Sequence, residues 1–145
     1  MSTTIPHPET GEPVEIFARI SNGYVDALCR AAYKSAWDAA ALANGLTDKD
    51  GNPVPGVSID IIGPAMSVPG VYDEDGNEVS APQFDDRYHV NLRVAEDRAW
   101  LPIMLTWMQN GNDDAVPNKN EETRTLARVS LIDPDSITTP TRVWL

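Results

Sequence analysis

The longest stretch of this sequence with a single periodicity covers residues 22–43, and it predicts an amphipathic α-helix. Ser21 or Asn22 can cap the start of this helix, and Asn44-Gly45 is typical of a helix C-terminus. The apolar residues that recur at helical spacing are mostly small: Val25, Leu28, Cys29, Ala32, Ala36 and Ala40. Small side chains let another element approach closely, so we expect the helix to pack against the domain's own sheet or against a second subunit.

The polar face of this predicted helix carries two pairs of opposite charges. Asp26 and Arg30 are four residues apart, as are Lys34 and Asp38. This is the spacing of ion pairs on a helix surface, and each pair stabilises a helix by about 0.3 kcal/mol. The two pairs therefore favour a helix throughout this stretch.

After residue 44 the sequence changes to short β-branched and aromatic runs separated by turns. Strands are predicted at 57–62, 87–94, 126–132 and 138–145, and a small hairpin at 71–72 with 78–79. The 138–145 run is apolar, so we expect it to dock in the domain's own sheet or on a partner. In the 87–94 run, one face holds Tyr88, Val90, Leu92 and Val94. The other face, which we expect to be solvated or to contact a subunit, holds His89, Asn91 and Arg93.

A shorter helix is predicted at 97–109, with Pro102 tolerated in its first turn. Together the elements predict a single α+β domain over residues 1–145, with a small, mostly antiparallel sheet, one long N-terminal helix and one shorter helix. Residues 1–13 are predicted to be an extended arm. Residues 57–145 form the predicted sheet-containing part, in which 96–125 has the character of an insertion.

The charge of the chain excludes some partners. Its 145 residues carry a net charge of −11, which opposes binding to nucleic-acid phosphates and to anionic membranes. No apolar run approaches the ~20 residues of a membrane span, and the N-terminus lacks the features of a signal peptide. Cys29 is the single cysteine, which fits a reducing compartment. These features indicate synthesis in a cytoplasm.

The sequence shows no catalytic, cofactor-binding or metal-binding signature. The turns at 48–52 and 73–77 resemble calcium loops, but both lack the glycine and glutamate positions of an EF-hand, so hairpin turns are favoured. His89 is the only candidate general base within a strand, and no partner for it is visible. Cys29 is expected to pack as a small hydrophobe. We therefore predict a protein that is not an enzyme and that needs no cofactor.

Three separated segments carry a family resemblance: Ile59-Asp60-Ile61-Ile62-Gly63, Arg87-Tyr88-His89-Val90-Asn91-Leu92-Arg93, and Thr139-Pro140-Thr141-Arg142-Val143-Trp144-Leu145. In this order they resemble small uncharacterised proteins of tailed bacteriophages and prophages that are encoded near tail genes. The resemblance covers about half of the chain, from residue 57 onward. It implies no activity and no catalytic residue.

The resemblance implies a virion structural protein associated with the tail, the baseplate or its fibres. Such a protein would be made in the host cytoplasm and would contact other phage structural proteins or further copies of itself. The candidate interface anchors are large apolar residues: Trp37, Trp100, Trp107, Trp144 and Leu145. Two alternatives remain: an acidic inhibitor or DNA mimic that binds a basic host protein, and a small enzyme that uses His89 as its base.

Overall fold

The computed structural model describes residues 3–97, 99–110 and 129–134. Strand accounts for 47% of the structure, so the fold is mostly β, and the prediction of an α+β domain is wrong. The strands are β1 (Thr3–Pro6), β2 (Pro13–Ile16), β3 (Arg19–Ser21), β4 (Tyr24–Ala31), β5 (Val57–Val68), β6 (Val71–Tyr72), β7 (Glu78–Ser80), β8 (Gln83–Ala95) and β9 (Ser130–Leu131). The helices are α1 (Lys34–Ala43) and α2 (Leu101–Asn110).

The main sheet has the strand order β3-β4-β8-β5, and each of its pairs is antiparallel. β9 pairs with β4 at Cys29 and Arg30, whereas β3 pairs with it from Tyr24 to Asp26. The two short strands therefore share one edge of β4. Two separate hairpins, β1-β2 and β6-β7, complete the strand pairing among the described residues.

The prediction of a long N-terminal helix over 22–43 is wrong. Its first part is the strand β4, and the helix α1 covers only Lys34–Ala43. Asn22 and Gly23, with φ of 54° and 82°, form a two-residue turn of the kind that joins hairpin strands, not a helix cap. From Val25 to Ala31 every residue is buried, because β4 lies inside the sheet with both faces covered. A strand buried on both faces has a nearly continuous apolar sequence, which also matches helical spacing by chance.

The C-terminal stop of the predicted helix is confirmed. Gly45 has a φ of 72°, and the backbone N–H of Leu46 donates to the carbonyl of Ala41 at 2.9 Å. The Lys34–Asp38 ion pair is also present, with 2.6 Å between Lys34 Nζ and Asp38 Oδ2. Both features belong to the helical part of the stretch. Neither of them concerns its first part, which is the strand β4.

The main core lies on one face of the sheet. The side chains of Cys29, Val90 and Leu92 point from neighbouring strands to this face and are fully buried. Trp37 and Ala41 of α1 and Met104 and Trp107 of α2 pack into the same cluster. A small cluster of Leu28, Ala65 and Ile132 lies apart from it.

Several other predictions match the structure. The strands predicted at 57–62 and 87–94 lie within β5 and β8, and the predicted hairpin is formed by β6 and β7. The helix predicted at 97–109 is α2, with Pro102 as its second residue. Of the strand predicted at 126–132, residues 129–132 are described and contain β9. The strand predicted at 138–145 and most of the 96–125 stretch lie outside the described residues.

Residues 3–6 of the predicted arm form β1, which pairs with β2 from Thr3–Ile16 to Pro6–Pro13. The Thr3 hydroxyl donates to the carbonyl of Ala18 at 2.7 Å. Neither of the described helices is long and apolar enough to cross a membrane.

Candidate functional site

The longest strand pair of the sheet extends beyond its neighbours. β5 and β8 are 12 and 13 residues long and remain paired as far as Val68 and Gln83. β4 accompanies β8 only from Ala95 to Tyr88. Beyond that point the two strands continue as a hairpin and lead into β6 and β7. We call residues 68–84 the distal arm.

Exposed apolar side chains are concentrated on the distal arm. Eight large hydrophobic residues of the described part are exposed, and five of them lie in this 17-residue segment. They are Val68, Val71, Tyr72, Val79 and Phe84, with exposed fractions between 43% and 67%. Single exposed apolar residues are ordinary on a protein surface, whereas five in one short segment make the distal arm the candidate interaction site.

The tip of the distal arm is a well-defined turn. Asp73 Oδ1 accepts hydrogen bonds from the backbone N–H groups of Asp75 and Asn77 at 3.0 and 2.8 Å, and Gly76 has a φ of 83°. Hydrogen bonds from the Asn77 backbone hold the pKa of Asp73 below its usual value. Asp48 makes the same contacts to Asp50 and Asn52 at 2.9 and 3.0 Å. The predicted turns are present at both positions.

The charge of the distal arm has one sign. No Lys or Arg lies between Lys49 and Arg87, and the arm itself carries Asp73, Glu74, Asp75 and Glu78. All four are exposed. The arm therefore presents apolar side chains together with an acidic tip.

The second notable feature is a set of polar side chains on the face of the sheet opposite the main core. Asp26 and Arg93 are directly paired across β4 and β8, so their side chains lie on the same face. Arg93 donates to both carboxylate oxygens of Asp26, from Nε at 2.7 Å and Nη2 at 3.1 Å. Its guanidinium also lies over the Tyr24 ring, 4.9 Å from the centroid. Asp26 is 2% exposed and is thus a buried charge with a bidentate partner.

The carboxylate of Asp85 joins two arginines. Arg87 donates to it from Nε and Nη2, both at 2.9 Å, and Arg30 Nη1 lies 3.2 Å from Oδ2. Burial raises the pKa of Asp85, but the hydrogen bonds from Arg87 lower it more, to about 2. The predicted Asp26–Arg30 ion pair is wrong for a strand, because the two residues bind different partners across the sheet.

His89 lies beside this cluster and is fully buried. Its Nδ1 is 2.8 Å from the carbonyl of Gly63 and 2.9 Å from that of Arg87; since carbonyl oxygens only accept, Nδ1 carries a proton. Nε2 has no hydrogen-bond partner among the described residues and lies 3.6 Å from Asp85 Oδ2. Burial lowers the pKa of His89 below its usual value, although Gly63 and Asp85 oppose that shift. The ring is therefore neutral near pH 7.

Asn91 and Ser130 are also fully buried, and neither amide atom of Asn91 nor the Ser130 hydroxyl has a hydrogen-bond partner among the described residues. The prediction that His89, Asn91 and Arg93 form a solvated or subunit-contacting face is therefore wrong for His89 and Asn91. Alternation along a strand distinguishes its two faces but does not reveal whether the polar face is covered. With Nε2 buried, His89 does not reach a substrate in this conformation.

The predicted interface residues occupy different places. Trp37 and Trp107 are 2% and 3% exposed and belong to the core. Trp100 is partly buried, and its indole N–H donates to the carbonyl of Glu96 at 3.0 Å. Trp144 and Leu145 lie outside the described residues. Val71, Val79 and Phe84 were not among the interface candidates predicted from the sequence. Two features of the sequence pointed to this segment: the turn beside these residues and the absence of Lys and Arg around them.

Two negative findings apply to the described ranges only. No group of three or more His, Cys, Asp or Glu side chains is close enough together there to hold a metal ion. Cys29 is buried without a disulfide partner, and burial raises the pKa of its thiol. The prediction that Cys29 packs as a small hydrophobe is confirmed.

Comparison with known proteins gives no match: no protein-family model, no curated protein and no solved structure is similar to the chain. The fold and the distal arm are thus the observations from which a function is argued.

Proposed function

We propose that this protein is a structural component of a tailed-bacteriophage particle, associated with the tail, the baseplate or its fibres, and that it acts through protein–protein contacts. The observation that carries the proposal is the distal arm. It projects from the sheet, is held by backbone pairing and turn hydrogen bonds, and exposes five large apolar side chains. Exposed apolar side chains grouped in this way are typical of a surface that another protein covers.

We propose a phage particle as the setting because the chain resembles proteins that are encoded near phage tail genes. Two of its three segments, 59–63 and 87–93, lie side by side in β5 and β8, with Ile59 opposite Leu92 and Gly63 opposite His89. These segments build the base from which the distal arm projects. The third segment, 139–145, lies outside the described residues.

On this proposal the partners are other structural proteins of the particle, or further copies of the chain. The protein is made in the host cytoplasm and remains in the finished virion. No reaction is assigned to it. His89 and the Asp85 cluster lie in the sheet from which the arm projects.

Mass spectrometry of particles purified by density gradient tests this proposal. We expect peptides of this protein at a constant ratio to a known tail protein across the gradient fractions. A host cytoplasmic protein serves as the control for contamination. If the protein is absent from the particles, or is present only at the level of that control, the proposal is wrong.

A second candidate is an acidic inhibitor that binds a basic host protein. The favouring observation is the stretch from residue 50 to residue 86, which contains no Lys or Arg. An inhibitor that acts mainly by charge should dissociate from its target at high salt, because 1 M salt shortens the screening length to about 3 Å. Retention of the complex in 1 M salt would contradict this candidate.

A further inference from the structure

We infer that the distal arm docks into an apolar groove, rimmed by Lys and Arg side chains, on a protein other than this chain. The inference rests on the proposed function in one respect, namely that the two proteins meet in the phage particle. The chemistry of the groove follows from the arm alone.

The apolar side chains of the arm require an apolar contact surface. Val71, Val79 and Phe84 are 51%, 67% and 56% exposed, so each has a large area still to bury. Burying apolar area contributes about 25 cal/mol for each Å² removed from water. These side chains are therefore suited to an apolar groove, not to a flat polar surface.

The arm is prepared for docking before it meets a partner. Gly70 lies close to Tyr72 and Pro82, since a Cβ added at Gly70 would lie 3.1 Å from the Tyr72 ring and 3.2 Å from Pro82 Cδ. At the other end the backbone of Asp73 and Asn77 is joined by a hydrogen bond of 2.9 Å. Because the backbone of the arm is already paired before docking, docking costs less chain entropy than it would for an unstructured segment.

The acidic tip of the arm indicates that the rim of the groove is positively charged. Four carboxylates accompany the apolar side chains, and no cation of the arm offsets them. Bringing carboxylates next to a surface without positive charge removes their water and provides no partner, which is costly. A rim of Lys or Arg avoids this cost and also speeds encounter.

A second copy of this chain does not provide such a groove in its described part. Of the six Lys and Arg residues in the described ranges, four are held by carboxylates: Arg30 and Arg87 by Asp85, Arg93 by Asp26, and Lys34 by Asp38. The cleft between α1 and β5 has an apolar floor that includes Leu42 and Ile61. Its lining carries Lys34 and Lys49 together with Asp38, Asp48 and Asp50, so acidic residues outnumber basic ones there by three to two. Two chains of net charge −11 also repel each other.

Site-specific photo-crosslinking in the cells that produce the particle tests the inference on the full chain. A benzoylphenylalanine probe replaces Val71 on the arm or, as the control, Leu42 on α1; both native side chains are 51% exposed. We expect the Val71 probe to link to a single different polypeptide. The linked peptide should contain apolar residues beside Lys or Arg, and the Leu42 probe should not give this product.

Charge reversal separates the role of the acidic tip from the net charge of the chain. With the probe at Val71, the change Glu74→Lys/Glu78→Lys should lower the yield of the linked product by about tenfold, since a change of about 1.4 kcal/mol has that effect. The control Glu9→Lys/Glu12→Lys makes the same change in net charge at exposed positions outside the arm and should leave the yield unchanged. Equal urea midpoints show that these variants fold alike.

Each remaining outcome overturns the inference: a link from Val71 to another copy of the chain, no linked product, equal products from Val71 and Leu42, or equal effects of the two charge reversals. The outcome for the proposed function is separate. A particle that contains the protein but shows a Val71 link to its own chain supports the function and overturns the inference. If the Val71 probe links specifically to a basic protein and neither protein is found in the particle, the inference is supported and the proposed function is overturned.

Discussion

Trp37 of α1 and Trp107 of α2 pack against each other, with ring centroids 5.8 Å apart and ring planes inclined by 59°. The two residues come from helices that are separated by 57 residues in the sequence, from 44 to 100. Their contact joins both helices to one face of the sheet. It makes these two tryptophans part of the core, where a partner does not reach them.

Replacement of Trp107 by alanine should therefore destabilise the protein strongly. Removing a buried tryptophan leaves a cavity and costs about 3–5 kcal/mol. The control Trp100→Ala removes a partly exposed ring and should cost roughly 1–2 kcal/mol. Urea denaturation measures both values. If Trp107→Ala instead leaves the unfolding free energy unchanged and alters the solution mass, Trp107 is an interface residue.

The bidentate contact between Arg93 and Asp26 should contribute strongly to the free energy of unfolding. Arg93→Ala leaves the buried Asp26 carboxylate without its partner, and we expect a loss of about 2–3 kcal/mol, at the low end for such pairs because the Arg93 side chain is 29% exposed. Arg93→Lys keeps the charge but loses the two-pronged geometry, so it should fall between wild type and Arg93→Ala. A double-mutant cycle with Asp26→Asn measures the coupling. A coupling near zero would show that the pair does not form.

The buried His89 ring should make the protein less stable in mild acid. Burial lowers the pKa of His89 below 6.5 in the folded state, so the unfolded chain takes up a proton that the folded chain does not. Stability is then complete above pH 6.5 and falls as the pH decreases below it, with a slope of up to about 1.4 kcal/mol per pH unit. Unfolding free energies measured from pH 8 to pH 5 give this slope.

The variant His89→Asn is the control for that measurement, because its side chain can still donate to Gly63 but does not titrate. Its stability should change less between pH 6.5 and pH 5 than that of the wild type. Asp85 contributes in a lower range: its pKa is about 2, so the stability it provides is lost only as the pH falls from about 3.8 toward 2. A wild-type protein whose stability rises on acidification would contradict the buried neutral ring.

The two Asp-Gly-Asn turns should respond differently to the same change. Asp48 lies next to the buried residues Leu46 and Thr47, whereas Asp73 lies at the tip of the distal arm. Asp48→Ala should lower the urea midpoint. Asp73→Ala should leave the midpoint unchanged and accelerate amide exchange at Asp75 and Asn77 by roughly tenfold, because local opening there does not unfold the core.

Equal midpoints in the two variants would contradict this difference in location. Such a result would mean that the distal arm and the core unfold together. Hydrogen exchange at Val90, in the centre of the sheet, provides the reference, since it should remain slow in both.

The elements that depend on local chemistry were predictable from the sequence. The turns at 48–52 and 73–77, the stop at Gly45 and the alternating run in β8 all follow from residues that are neighbours in the chain. Positive φ at glycine, side-chain hydrogen bonds within a turn and the two faces of a strand require no distant contact. They were therefore visible in the sequence alone.

Tertiary structure decided the rest. The stretch from Tyr24 to Ala31 fits a helix by its spacing and becomes a strand because it pairs along its whole length with β8, whose paired residues lie 57 to 71 positions further along the chain. That pairing directs Asp26 to Arg93 instead of Arg30, and it buries His89 and Asn91. The sequence by itself determined where the chain turns and how acidic its surface is. Only the long-range pairing of strands decided which side chains are buried and which, on the distal arm, remain exposed, because burial depends on what covers a residue and not on its neighbours in the chain.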